Sequence, residues 1–276
     1  MRSLNKLQVG IIGGGLALFA ILLFANTKNP RKVSAKQAEN LHEVSIEKII
    51  GTAKEALASD QKIAIANLEK MLDHESLPKK LRILDSLVKL TDDFKKPELA
   101  AHYTEEIAII QKTSAGWFKA AERYEAAARF VKEQEKEVLF RNAIKCFSNV
   151  LSIDPENIEA KAGMGVCYVE GTPDPMKGIG LLREVVQKDS NNINAQLNLG
   201  FFSVKSGQYD KAIERFNKVL RIKPDYLEAY LFLADVYEKT GNKQKSIESL
   251  QKYMSLINDV TIKTEIQNYI NKLKNS

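Results

Sequence analysis

The sequence predicts an all-α chain in which antiparallel helix pairs stack into a solenoid, preceded by one N-terminal transmembrane helix. Three observations predict it. Four segments toward the C-terminal end repeat one pattern at a spacing of about 34 residues. Helical periodicity runs almost unbroken after Pro30, no alternating β-branched stretch competes with it, and the seven prolines fall mostly near expected helix ends. Finally, a run from Leu7 to Ala25 has Gln8 as its only markedly polar member.

That apolar run comes first in the chain, after a short basic N-terminus at 1–6. Its 19 residues measure roughly 28 Å as a helix at ~1.5 Å per residue, close to a bilayer's hydrocarbon core. A cleavable secretory signal has a shorter apolar part, and Leu23 occupies the place where cleavage after Ala25 would want a small side chain. No Cys follows for a lipoprotein anchor, so the expectation is an uncleaved signal anchor over 7–25 and a juxtamembrane segment over 26–43. Charge agrees with this placement. Residues 1–36 hold Arg2, Lys6, Lys28, Arg31, Lys32 and Lys36 and no acid, leaving 35 basic against 35 acidic residues in the remainder. The net +6 therefore flanks the apolar run, where cations meet lipid headgroups, and no nucleic-acid partner is expected.

Two worn hairpins are expected over 44–113. Ile50-Gly51, Ala64, Leu68 and Met71 carry the pattern over 44–77, and Leu84, Leu87, Ala100 and Ile107 carry it over 78–113. The hairpin at 114–157 places Trp117, Ala120-Ala121 and Tyr124 on its first helix and Ala143, Phe147, Val150 and Pro155 on its second. At this length its helices must be extended, by most of three turns at ~3.6 residues each. Segment 158–192 gives Met164-Gly165, Tyr168, Gly178, Leu182 and Val185, with two prolines in the turn at Gly171-Thr172-Pro173-Asp174-Pro175. The cleanest copy, 193–226, has Leu199-Gly200, Gly207, Tyr209, Ala212, Phe216, Val219 and Pro224, and 227–260 has Tyr230, Leu233, Ala234, Tyr237, Gly241, Ser246, Leu250 and Tyr253. Over 261–276, Ile262, Ile266, Tyr269, Ile270 and Leu273 share one face of a capping helix.

Large residues at positions 4, 7, 11 and 24, small ones at 8 and 20, Gly at 15 and Pro at 32 resemble the tetratricopeptide repeat. Small side chains let the two helices of a hairpin approach, and large ones fill the space between hairpins, each stabilising by roughly 1.5–3 kcal/mol when buried. The resemblance implies a right-handed superhelix whose groove is lined by first helices. It also implies which side chains face that groove: Phe118 and Glu122, Ala162 and Val166, Leu197 and Phe201, Leu231 and Asp235. The family's carboxylate clamp wants Lys and Asn at two of these positions, and neither is there. An apolar strip of Phe118, Leu197, Phe201 and Leu231 suits an apolar or amphipathic segment instead.

Chemistry is sparse. His42, His74 and His102 have no second His or Cys at metal-ligand spacing, and Gly13-Gly14-Gly15 lies inside the apolar run without the Lys of a phosphate loop. No enzyme activity, metal or cofactor is expected. Cys146 and Cys167 fall on successive helices of adjacent hairpins. They read either as a disulfide, in an oxidising compartment, or as two small buried hydrophobes. The expected partners are other proteins, and the membrane through 7–25, with the chain a subunit of a membrane complex. Its plan resembles bacterial inner-membrane repeat proteins with a periplasmic array active in assembly, secretion or quality control. The alternative is a cytosolic array that captures soluble clients as a receptor or tether, and the basic count after the run favours that orientation.

Overall fold

The computed structural model describes residues 44–73 and 75–275. The expected segments at 1–6, 7–25 and 26–43 lie outside the described residues. Among the described residues no helix is long and apolar enough to cross a membrane. These residues form 13 α-helices and no strand, and the chain divides between Lys188 and Asp189 into two compact units.

The unit ending at Lys188 holds α1 (Ile46–Glu55), α2 (Ser59–Leu72), α3 (Leu77–Asp93), α4 (Pro97–Gln111), α5 (Ser114–Ala127), α6 (Glu133–Ile153), α7 (Ile158–Gly171) and α8 (Pro175–Lys188). Helix starts follow local chemistry. Ser45, Thr113 and Asn157 accept backbone N–H bonds from Lys48, Gly116 and Ala160 at 3.3, 3.1 and 2.9 Å, which satisfies donors the first turn leaves orphaned. Helices α3 and α4 open with proline in the first two positions, where its missing N–H is not needed.

Within this unit the pairs α3–α4, α5–α6 and α7–α8 pack closely. The expected extension of both helices in the 114–157 hairpin is corrected. Helix α5 has 14 residues and α6 has 21, so all the surplus lies in the second helix. Burial explains it: Leu139 and Phe140, in the added turns, are buried, and the Phe140 ring fills the space beside Gly171 at the end of α7. The α7–α8 pair is closer still. A Cβ added at Gly178 would stand 2.2 Å from the carbonyl oxygen of Gly165, so backbone meets backbone where two small residues were expected.

The 44–77 register is also corrected. Ile65 is buried where Ala64 was expected inside, and Met71 is 50% exposed, because Ile65, Leu68 and Leu72 form the inward face of α2. Helix α1 packs against α4 and reaches α6 instead of doubling back closely along α2. A polar clasp holds it there. Glu69 of α2 accepts bonds from Lys54 of α1 at 2.6 Å and from the Tyr103 hydroxyl of α4 at 2.8 Å. A second clasp joins α4, α5 and α6: the buried carboxylate of Glu105 accepts from the Tyr124 hydroxyl at 2.6 Å and from Lys145 at 3.1 Å. Buried polar groups must be partnered, so these bonds specify the packing.

The other unit holds α9 (Ile193–Lys205), α10 (Tyr209–Ile222), α11 (Leu227–Lys239), α12 (Lys243–Leu256) and α13 (Val260–Asn275). Pairs α9–α10 and α11–α12 are each joined by a short turn whose Gly207 or Gly241 takes φ of +72° or +75°. Only glycine adopts that region without cost, which is why position 15 carries it. Asn192 and Asn242 cap α9 and α12 through bonds from Ala195 and Lys245 at 2.9 and 3.2 Å. Ile262, Ile266, Ile270 and Leu273 of α13 are buried in one cluster with Ala234, Leu250 and Tyr253, which closes this end of the stack.

Candidate functional site

Packing places the expected groove residues unequally. In the first unit Phe118 of α5 is half-buried and meets Phe147 edge-on at 5.6 Å between centroids, and Glu122, one turn on, is exposed. Ala162 and Val166 of α7 are 0% and 5% exposed, so they are core residues with no surface to offer a ligand. Nearby, burial pushes the Glu125 carboxyl up to about 7; Arg129 opposes this, while Glu170 and Glu122 add to it. Since the folded pKa lies above the ordinary one, the contribution to stability is complete at acidic pH and is lost as pH rises through about 7. Glu125→Gln is expected to remove this loss. The unfolding free energy of wild type from urea titrations should fall relative to the variant between about pH 5 and about pH 8, by on the order of 2–3 kcal/mol. A constant difference between the two proteins across that range would reject it.

In the second unit the same positions come together around aromatic rings. Leu197 of α9 is 7% exposed and belongs to the core with Phe216, Val219 and Leu233. Phe201, one turn further, is half-buried and packs edge-on against Phe232 of α11 at 4.5 Å and against Phe216 of α10 at 5.6 Å. Phe216 completes the trio with Phe232 at 5.4 Å. Leu231 is half-buried and packs toward the α12–α13 cluster, and Asp235 pairs with Lys239 at 2.7 Å. The Tyr269 hydroxyl of α13 donates to Glu238 at 2.5 Å, so carboxylates edge this apolar face. Phe232 was missed because the family pattern assigns the position before it to the groove. Its signal was an aromatic side chain on the next first helix, set to reach Phe201.

The arrangement offers apolar contact and no reactive group. Cys146 and Cys167 are buried free thiols; burial pushes the first up to about 12 and the second well above its ordinary value. The half-buried imidazole of His102 has its pKa lowered, chiefly by burial. Its counterparts His42 and His74 lie outside the described residues. Among the described residues, no group of three His, Cys, Asp or Glu side chains is placed to hold a metal ion.

Family comparison bears on the 189–275 unit. Residues 203–241 match the TPR repeat model and residues 227–259 match the tetratricopeptide repeat model. The stretch 203–259 therefore carries tetratricopeptide repeats. Curated relatives match over part of their length. The chain is 29% identical over 118 residues to the probable UDP-N-acetylglucosamine–peptide N-acetylglucosaminyltransferase SPINDLY of Hordeum vulgare, covering 41% of this chain and 12% of that one. It is 23% identical over 135 residues to the mitochondrial import receptor subunit TOM70 of Rattus norvegicus, covering 49% and 21%. The chain thus spans about a tenth to a fifth of the length of these curated relatives. Among solved structures, PilW, a widely conserved type IV pilus biogenesis factor, aligns with a TM-score of 0.54 and 19% identity over 71% of this chain and 86% of that one. That likeness is one of fold alone.

Proposed function

We propose that this is a non-enzymatic, membrane-anchored scaffold whose first-helix face in the 189–275 unit binds an apolar or amphipathic segment of a partner protein. Phe201 and Phe232 carry the reading. They are half-buried rings on successive first helices that meet edge to face over Phe216, with Leu231 beside Phe232 in the chain and Asp235 and Glu238 further along the same helix. Rigid aromatic anchors of this kind supply contact area at low entropic cost. The apolar run at 7–25 would hold the array at a bacterial inner membrane, within an envelope complex for assembly, secretion or quality control, and the signal-like start supports a periplasmic array. The test is crosslinking in native membranes. Phe201→Gln with Phe232→Gln should abolish the crosslinked partner while helical circular dichroism is kept; an unchanged partner band would reject the groove. Leu197 is left intact because it is core.

The alternative is a receptor or tether facing the cytosol. Lys28, Arg31, Lys32 and Lys36 outnumber Arg2 and Lys6, which favours the C-terminal flank inside. The similarity to an import receptor subunit supports the same reading. External protease on spheroplasts separates the two: digestion of the array supports the periplasm, and full resistance in sealed cells supports the cytosol.

A further inference from the structure

The second helices of the 189–275 unit carry charge opposite to that of the first helix between them. Helices α10 and α12 together hold Lys211, Arg215, Lys218, Arg221, Lys243, Lys245 and Lys252 against Asp210, Glu214 and Glu248, whereas α11 holds Glu228, Asp235 and Glu238 against Lys239. A shallow cavity of about 280 Å³ opens among these three helices. Leu220, Tyr230 and Tyr237 give it an apolar and aromatic floor, and Lys245 and Lys252 stand on its rim.

The two lysines are exposed and form no ion pair among the described residues, and Lys245 lies over the Tyr237 ring at 5.5 Å. Glu248, between them, accepts a bond from the Gln244 amide at 2.9 Å. Arg221 follows Asn217, a lining residue, by one helical turn and adds a third cation on the α10 side. Lys245 and Lys252 are seven residues apart, about 10 Å along a helix at ~1.5 Å per residue. Carboxylates three residues apart on an extended polyproline-II segment lie on one side of it at nearly the same spacing, with three residues per turn and ~3.1 Å per residue.

We infer that this groove docks an extended acidic segment of a partner protein, with carboxylates on Lys245 and Lys252 and an apolar side chain between them on the Leu220–Tyr230 floor. The surface is separate from the Phe201–Phe232 face, so the two sites stand or fall independently. The apolar Leu220–Tyr230 floor selects a segment in which apolar residues separate the acidic ones, because a polyanion with no apolar side chain leaves Tyr230 and Leu220 uncovered and meets Glu248 between the lysines.

The test uses the full-length chain in nanodiscs and fluorescein-labelled peptides read by polarisation. One peptide repeats Glu-Leu-Leu and its counterpart repeats Lys-Leu-Leu; labelled oligothymidylate is the third probe. The acidic peptide should bind, weaken with added salt, and weaken about tenfold or more in the double variant Lys245→Glu, Lys252→Glu. Phe201→Gln with Phe232→Gln should leave that binding unchanged. Absence of acidic-peptide binding, equal binding of the basic peptide, or an undiminished affinity in the lysine variant overturns the proposal. So does tighter binding of the oligonucleotide through the same lysines.

Discussion

Phe216→Ala is expected to destabilise the chain by about 3–5 kcal/mol and to abolish partner crosslinking at Phe201 in the same variant. Phe216 is 0% exposed, and its ring occupies the space where a Cβ at Gly200 would stand, 2.6 Å from Cε1. It also supports both half-buried rings of the first-helix face. Removing it opens a cavity walled by α9, α10 and α11, and the close approach at Gly200 limits how far the helices can collapse into it. Phe216→Leu fills most of the volume and should cost less, about 1–2 kcal/mol, while leaving Phe201 with Phe232 as its one remaining ring contact of the trio. Urea unfolding followed by circular dichroism measures the first effect, and the crosslink yield measures the second. A loss below about 1 kcal/mol for the alanine variant would show that the trio is not the keystone of this unit.

Gly178→Ala should be the most damaging single methyl in the other unit. The new Cβ would stand 2.2 Å from the Gly165 carbonyl oxygen and 2.5 Å from Val169 Cγ2, and the first of these is backbone that no rotamer change can move. Helices α7 and α8 must therefore separate, unpacking Leu182 and Val185, both 0% exposed. Overpacking of this kind costs typically 1–3 kcal/mol and more when backbone is the obstacle, even though alanine has the better helix propensity by about 1 kcal/mol. Gly180→Ala is the matched control. It lies on the same helix with open space around its Cβ position, so it should be neutral or stabilising by a few tenths of a kcal/mol. Equal midpoints for the two variants would remove the close approach as the reason for Gly178.

Much of this architecture was legible because it is written at short range. Turn glycines 207 and 241, the small residues 165, 178, 200 and 212, and the buried rows Leu182–Val185 and Phe216–Val219 sit where a helix period and a repeat length put them. What the pattern misread depends on residues far apart in the chain. The position of α1 is set by Lys54 and Tyr103 converging on Glu69, the latter from 34 residues away, and no periodicity announces such a meeting. The surplus length of α6 was visible, but its assignment to one helix rested on Phe140 meeting Gly171. In the candidate site, Leu197 and Phe201 are a turn apart and look equivalent by spacing. Neighbouring helices bury the first and leave the second half open.

Helix α11, net acidic, lies in sequence between α10 and α12, both net basic, so charge alternates along this part of the 189–275 unit. An approaching polyanion is drawn to the α10 and α12 cations and repelled by the α11 carboxylates, which holds it to the rims and keeps it off the helix between them. The same alternation discourages a uniformly charged chain of either sign from lying flat across all three helices, a built-in selection against indiscriminate adhesion.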